Sequence, residues 1–302
     1  MAIVTFWSNG KEETAKTLSI VAIATNMAIE HNYKILLLST NYNDDTLESC
    51  FWEKPKPKKS LLDLTPPGTV VEFDNGIEGL AKAIKSNKAT PELISNYTKI
   101  VFKDRLDVLL SIKSNSYDEY QRLRDIYPEI LQAANQYYDL IFVDINKGLD
   151  NEFIRNILKT SDLVITNLTQ RTKIIDDYMK IKEKEKLFSK SNNMLLIGRY
   201  DRFSKYTAKN IARYMNTKEE INVIPYSTLF FEACNEGKVA DFFLRFRTID
   251  ESDRNASFIK EVRKVTENID YTTFSKNLEN GGRIIEHIIS VDMAKQICMI
   301  QR

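Results

Sequence analysis

Gly10-Lys11-Glu12-Glu13-Thr14-Ala15-Lys16-Thr17 is the stretch on which the reading of this chain turns. It stands one residue from the phosphate-loop consensus G-x-x-x-x-G-K-[ST]. Gly10, Lys16 and Thr17 fit, and Ala15 takes the place of the second glycine. The apolar run Ile3-Val4-Thr5-Phe6 before the loop predicts a strand, and Thr17 to Glu30 after it predicts a helix. Strand, tight loop and helix N-terminus together make an anion site. Free backbone N–H groups and the positive end of the helix dipole converge there.

The same alternation continues outward. Lys34 to Ser39 predicts a second buried strand, and residues 42–69 are loop-rich. The Lys54-Pro55-Lys56-Pro57-Lys58-Lys59 run cannot be the interior of a regular element. Ile77 to Ser86 and Pro91 to Tyr97 predict helices, Lys99 to Phe102 and Leu106 to Ile112 short strands, and Tyr117 to Tyr137 one long amphipathic helix. Tyr138 to Asp144 is a strongly apolar strand ending in a carboxylate. Then follow helix 151–159, strand 163–166, helix 173–187, strand 194–197, helix 207–215 and strand 221–224, which Pro225 closes. Thr228 to Asn235 and Val239 to Arg245 read as helices. Residues 253–302 are mostly helical, interrupted at Gly281-Gly282. This pattern predicts an α/β fold, a mostly parallel sheet with helices on both faces. Residues 1–245 form the expected phosphate-loop domain, and 246–302 an expected helical extension packed on it.

Composition narrows the function classes. The 302 residues are 43% hydrophobic, enough for a full core. A net charge of +1 gives no bulk attraction to nucleic acid or anionic lipid. Cys50, Cys234 and Cys298 have neither disulfide-framework nor metal spacing, which suits a cytoplasmic protein. Two histidines, His31 and His287, argue against a histidine metal site. No secretory signal and no membrane-spanning run is expected.

Phosphoryl chemistry needs a cation on the phosphates, a Mg²⁺ site and a group that orients water. Lys16 suits the first, and the Thr17 hydroxyl the second. Asp144 ends an apolar strand, where a second carboxylate would approach the Mg²⁺ through water.

With these residues the chain resembles the ParA/MinD family of deviant P-loop ATPases. Lys11 matches that family's signature lysine, which the resemblance implies reaches across a nucleotide-sandwich homodimer. The likeness continues through Tyr138–Asp144, Ser161-Asp162-Leu163-Val164-Ile165-Thr166-Asn167, Gly198-Arg199-Tyr200-Asp201 and Ile224-Pro225-Tyr226. It implies ATP or ADP with Mg²⁺, held by Gly10, Lys11, Glu12, Thr14, Ala15, Lys16, Thr17 and Leu18, with Arg199 and Pro225 on the adenine side. Phe6-Trp7-Ser8 and Asn235 to Asp241 look most like TadZ/CpaE-like localisation factors of Firmicutes. The receiver-like domain usual there is absent from this sequence.

Three departures from the family pattern bear on activity. Glu12 and Glu13 stand where glycines are usual and put carboxylates beside a triphosphate. Ala15 adds a methyl where backbone usually approaches phosphate, at about 1 kcal/mol if φ is positive there. Asn41 stands where the family has an acidic residue that helps orient water. It can hydrogen-bond water but cannot take a proton, although a shifted register would let Asp44 or Asp45 substitute. Lys11 and Asn41 are therefore the candidate catalytic residues of a slow or absent hydrolysis.

The expected function is a nucleotide-binding, dimer-forming switch or scaffold that positions a larger machine: a pilus, secretion or conjugation apparatus. Its partners would be protein components of that assembly. Two alternatives stay open: an active partition ATPase cycling on DNA or membrane, and a scaffold that binds no nucleotide. The Lys54–Lys59 run reads as a solvated loop before a DNA contact, and the interleaved charges of 180–190 as an exposed helix face. Helix 283–300 has a nearly neutral polar face and reads as packed against protein rather than membrane. Trp7 and Trp52 read as packing residues before base-stacking ones, and the cysteines as buried thiols.

Overall fold

Strand β1, Ala2–Trp7, is buried at every position. So are β2, Ile35–Ser39, β5, Leu140–Asp144, and β6, Leu163–Leu168. Strands without a wet face must be covered on both sides, which is the signature of a parallel sheet between two helical layers. The computed structural model describes residues 1–9, 13–53, 76–86, 91–114, 116–145, 148–149, 152–189 and 192–279. The remaining strands are β3 (Thr98–Phe102), β4 (Leu106–Leu109), β7 (Asn193–Tyr200) and β8 (Ile221–Pro225). They form one sheet in the order β3-β4-β2-β5-β1-β6-β7-β8. Every pairing is parallel except β3 with β4.

One helical layer holds α1 (Lys16–Glu30), α9 (Thr228–Asn235), α10 (Val239–Arg245) and α11 (Ala256–Glu279), with the short α2 (Thr46–Ser49) beside them. Val4, Phe6, Leu37, Phe142, Ile165 and Leu196 of the sheet meet Ile20, Ile23 and Met27 of α1 and Phe258, Val262, Val265 and Ile269 of α11. Polar ties add to this packing: Thr266 Oγ1 meets Asn26 Oδ1 at 3.2 Å, and Asn268 Nδ2 donates to Asn222 Oδ1 at 2.8 Å. The opposite layer holds α3 (Ile77–Lys85), α4 (Tyr117–Arg124), α5 (Tyr127–Ala134), α6 (Glu152–Thr160), α7 (Thr172–Lys184) and α8 (Ala208–Tyr214). Ile3, Trp7, Leu36, Ile141 and Val143 face it, the alternate set along the same strands.

The expected helix 117–137 is two helices, broken at Asp125–Ile126. Pro128 is the cause: it has no N–H for the Arg124 carbonyl, and its ring would clash with that carbonyl. It therefore sits in the first turn of a new helix. The expected helix 173–187 ends at Lys184, and a 3₁₀ turn, Lys186–Ser189, follows. The strand expected over 106–112 stops at Leu109. The loop-rich 42–69 region contains α2. The Lys54–Lys59 run, Cys298, His287 and helix 283–300 lie outside the described residues.

Candidate functional site

The chain enters α1 through an unusual residue. Ala15, its N-cap, has φ 54° and ψ 31°, the left-handed region that alanine avoids. It supplies no side-chain cap, and the first turn of α1 contains no acidic residue. The helical ladder begins with the Ser19 N–H on the Ala15 carbonyl at 2.9 Å. The N–H groups of Lys16, Thr17 and Leu18 precede it and have no intrahelical acceptor. An anion is their natural partner.

Three side chains converge under that turn. Asp144 ends β5 between Phe6 of β1 and Ser39 of β2, at the middle of the sheet, and is fully buried. Lys16 Nζ lies 2.5 Å from its Oδ1 and also donates to the Ile145 carbonyl. Thr17 Oγ1 donates to its Oδ2 at 2.7 Å. A buried carboxylate survives only when paired in this way.

Gly198 of β7 permits the close approach of the loop. A Cβ there would lie 2.4 Å from the Thr14 carbonyl oxygen and 3.3 Å from Ala15 Cβ. Next to it Arg199, at φ 51°, reaches Glu13 across the mouth of the site at 3.7 Å. Both are well exposed, so the pair contributes little.

A cleft of about 450 Å³ opens above the loop, lined by Ser8, Glu13, Thr14, Ala15, Lys16, Thr17, Leu18, Asn41, Tyr42, Asp44, Thr46, Arg199, Phe231 and Asn235. A smaller hollow adjoins it, lined by Ala15, Leu18, Arg199, Pro225, Tyr226 and Phe231, among others. Thr14, Ala15, Lys16, Thr17, Leu18, Asn41, Arg199 and Pro225 are thus gathered in one place, with Asp144 behind Lys16 and Thr17. Gly10, Lys11 and Glu12 lie outside the described residues.

Asn41 stands on the cleft wall, and its backbone N–H is tied to Ser39 Oγ at 3.2 Å. Asp44 also lines the cleft, but its carboxylate accepts from the N–H of Thr46 at 3.0 Å and from the Thr46 hydroxyl. It is held at the start of α2. Trp7 is fully buried, its ring 4.5 Å from that of Phe188 and its Nε1 donating to the Gly148 carbonyl at 2.8 Å. It is a core residue, and Trp52 is half-buried at the edge of the α1-side core.

Sequence reasoning did not assign Ser8, Tyr42, Thr46, Phe231 or Asn235 to the site. Ser8 and Tyr42 follow β1 and β2. The rule that ligands bind beyond the carboxyl ends of parallel strands is a signal for both. Phe231 and Asn235 arrive on α9, brought by long-range packing that no local pattern announces.

The donor set fits a Mg-nucleotide. A hydroxyl and a carboxylate are hard oxygen ligands, and Mg²⁺ takes one or two of these with the remainder from phosphate and water. Among the described residues no group of three or more His, Cys, Asp or Glu could hold a metal on its own. No described helix is long and apolar enough to cross a membrane.

The sheet order, the loop entering α1 and the Lys16–Thr17–Asp144 cluster define a P-loop NTPase fold of the ParA/MinD type. Solved structures agree. A ParA family ATPase from Chlorobium tepidum matches with TM-score 0.62 at 14% identity, covering 85% of this chain and 96% of that one. The septum site-determining protein MinD from Pyrococcus horikoshii, complexed with Mg-ADP, matches with TM-score 0.61 at 15% identity over 90% and 98%. A putative plasmid partition protein from Borrelia burgdorferi, bound to AMPPNP, matches with TM-score 0.56 at 20% identity over 91% and 99%. The family described as AntA/AntB antirepressor matches residues 246–302. Part of that stretch is α11, whose apolar face belongs to the α1-side core. No curated protein matches the chain in sequence.

Proposed function

We propose that this chain is a nucleotide-binding, dimer-forming switch with a degenerate ATP site, whose task is to position or assemble a larger machine. The observation that carries the reading is the Thr17 hydroxyl and the Lys16 ammonium converging on buried Asp144 at an uncapped helix N-terminus. Lys16 and the N–H groups of the first turn would hold the β- and γ-phosphates. Thr17 and Asp144 would hold Mg²⁺, which when bound neutralises phosphate charge. Arg199 and Pro225 would flank the base. Lys11, by resemblance, would bridge two copies.

The cleft wall supports slow or absent hydrolysis. Asn41 cannot accept a proton, and the Asp44 carboxylate is engaged with Thr46. A long-lived nucleotide-bound dimer acts as a latch rather than a cycling motor. Septum-site determination by one structural neighbour and the putative plasmid-partition role of another support a positioning role. The alternative of an active partition ATPase on DNA or membrane predicts phosphate release that rises with such a partner. The scaffold alternative predicts no nucleotide effect at all.

Calorimetric titration of Mg-ATP and Mg-ADP tests the reading, with light scattering for mass. Micromolar binding that is lost in Lys16→Ala, and a doubling of mass with Mg-ATP, are expected. Silence toward both nucleotides in the wild type and in Ala15→Gly would sink it.

A further inference from the structure

A buried amide with no hydrogen-bond partner among the described residues sits beside the Thr14–Ala15 limb of the phosphate loop. Asn167 lies near the carboxyl end of β6 and is fully buried. Leu163 and Ile165 point into the α1-side core, so strand alternation places Asn167 on that same face. The register sets its flanks. Ile165 is opposite Phe6, which brings Ser8, just beyond β1, alongside Asn167. Leu196 is opposite Asn167 on the other side, and Gly198 follows two residues on. Gly198 is the residue on which the Thr14 carbonyl and Ser19 Oγ rest. Asn167 therefore lies between the two limbs of the loop, the Ser8–Asn9 limb and the Thr14–Ala15 limb.

Among the described residues neither Oδ1 nor Nδ2 of Asn167 has a hydrogen-bond partner. Ser19 Oγ, which lies against Gly198 on the same face, shares this condition. A buried polar atom without a partner is costly, and native proteins contain few. A leucine would fill the Asn167 position without that cost. An amide offers what leucine does not: a donor and an acceptor on one short side chain, able to hold an N–H and a C=O of the chain at once. Asn167 and Ser19, idle together beside the Thr14–Ala15 limb, point to a second arrangement of that limb in which they are used.

We propose that Asn167 is a positioning residue for the phosphate loop, its amide bonding the loop backbone, with Ser19 assisting, in the conformation that holds nucleotide phosphate. This rests on the nucleotide reading above. In the present conformation the Lys16 ammonium is spent on Asp144 and the Ile145 carbonyl. Phosphate competes for that ammonium and for the first-turn N–H groups, and so favours a shifted loop. Bonds that exist only in the shifted state add to the affinity for phosphate, because a ligand gains from whatever distinguishes the two states.

The test uses the full chain with Asn167→Leu and Asn167→Thr, reading the melting temperature without nucleotide and the Kd for Mg-ADP. Asn167→Leu is expected to melt no lower than the wild type while binding about tenfold more weakly. Asn167→Thr, which keeps one hydroxyl, falls between and serves alone if the leucine variant does not fold. Binding by the wild type and by both variants alike overturns the proposal and leaves the nucleotide reading intact. Affinity and melting temperature falling together also overturn it, since the amide would then be an ordinary structural group. A wild type that binds neither Mg-ADP nor Mg-ATP overturns the nucleotide reading and this proposal with it.

Discussion

Replacing Ala15 by glycine should make the protein more stable, although glycine at the start of a helix is usually no gain over a well-placed residue. Ala15 sits at φ 54°, ψ 31°. Left-handed backbone costs an L-residue about 1–2 kcal/mol, and glycine escapes that cost. Glycine also gives the unfolded chain more freedom, which takes back about 0.4–1 kcal/mol. The net gain is about 0.5–1 kcal/mol. For a domain of this size each kcal/mol moves the melting temperature by roughly 2 °C, so Ala15→Gly should melt about 1–2 °C higher in differential scanning calorimetry. Ala15→Val is the counter-experiment, because a β-branched side chain is strained further at positive φ and should melt lower. Ala15 also lines both the cleft and the adjoining hollow. Ala15→Gly should accordingly bind Mg-ADP at least as tightly as the wild type. A glycine variant that melts several degrees lower would refute the assignment of left-handed backbone at this position.

Other consequences follow from the same geometry. Gly198→Ala should shift the phosphate loop, since its Cβ would stand 2.4 Å from the Thr14 carbonyl oxygen; a cost of about 1–3 kcal/mol in urea unfolding and loss of the Mg-ADP-induced thermal shift are expected. Lys16→Ala leaves buried Asp144 with the Thr17 hydroxyl alone. It should lose about 3–5 kcal/mol, and adding Asp144→Asn should restore part of that, as a double-mutant cycle would measure. Asp107 is buried on β4, and burial pushes its carboxyl above the ordinary value despite the Tyr138 hydroxyl, which donates to it at 2.8 Å. Its folded pKa exceeds its unfolded one, so the folded chain holds the proton more tightly and stability falls as pH rises through that window. Asp107→Asn should flatten this slope and be more stable than wild type at neutral pH, with the advantage vanishing near pH 4, read from urea midpoints across that range.

The sequence carried much of the fold because its signals are local. Each fully buried strand is a short apolar run, and the elements between them show helical periodicity, so their alternation was legible residue by residue. The positive φ at Ala15 was foreseeable as a condition, since that position of the loop consensus is glycine. The break at Pro128 was legible too, but the amphipathic pattern on both sides concealed it. Lys16, Thr17 and Asp144 were named from the loop and from a strand ending in a carboxylate, and the structure brings them within hydrogen-bonding reach.

Tertiary structure decided what depends on residues far apart in the chain. The antiparallel edge strand β3, the placing of β1 between β5 and β6, and the α9 residues Phe231 and Asn235 on the cleft wall are all of this kind. That Asp44 lines the cleft while its carboxylate accepts from Thr46 is a matter of turn geometry that composition does not reveal. The idle amide of Asn167 is the clearest case. In the sequence it is one polar residue near the end of an apolar run, and only the packing around it buries it without a partner among the described residues. Strand and helix identity follow from local periodicity, whereas the state of a polar group follows from which distant surfaces close over it.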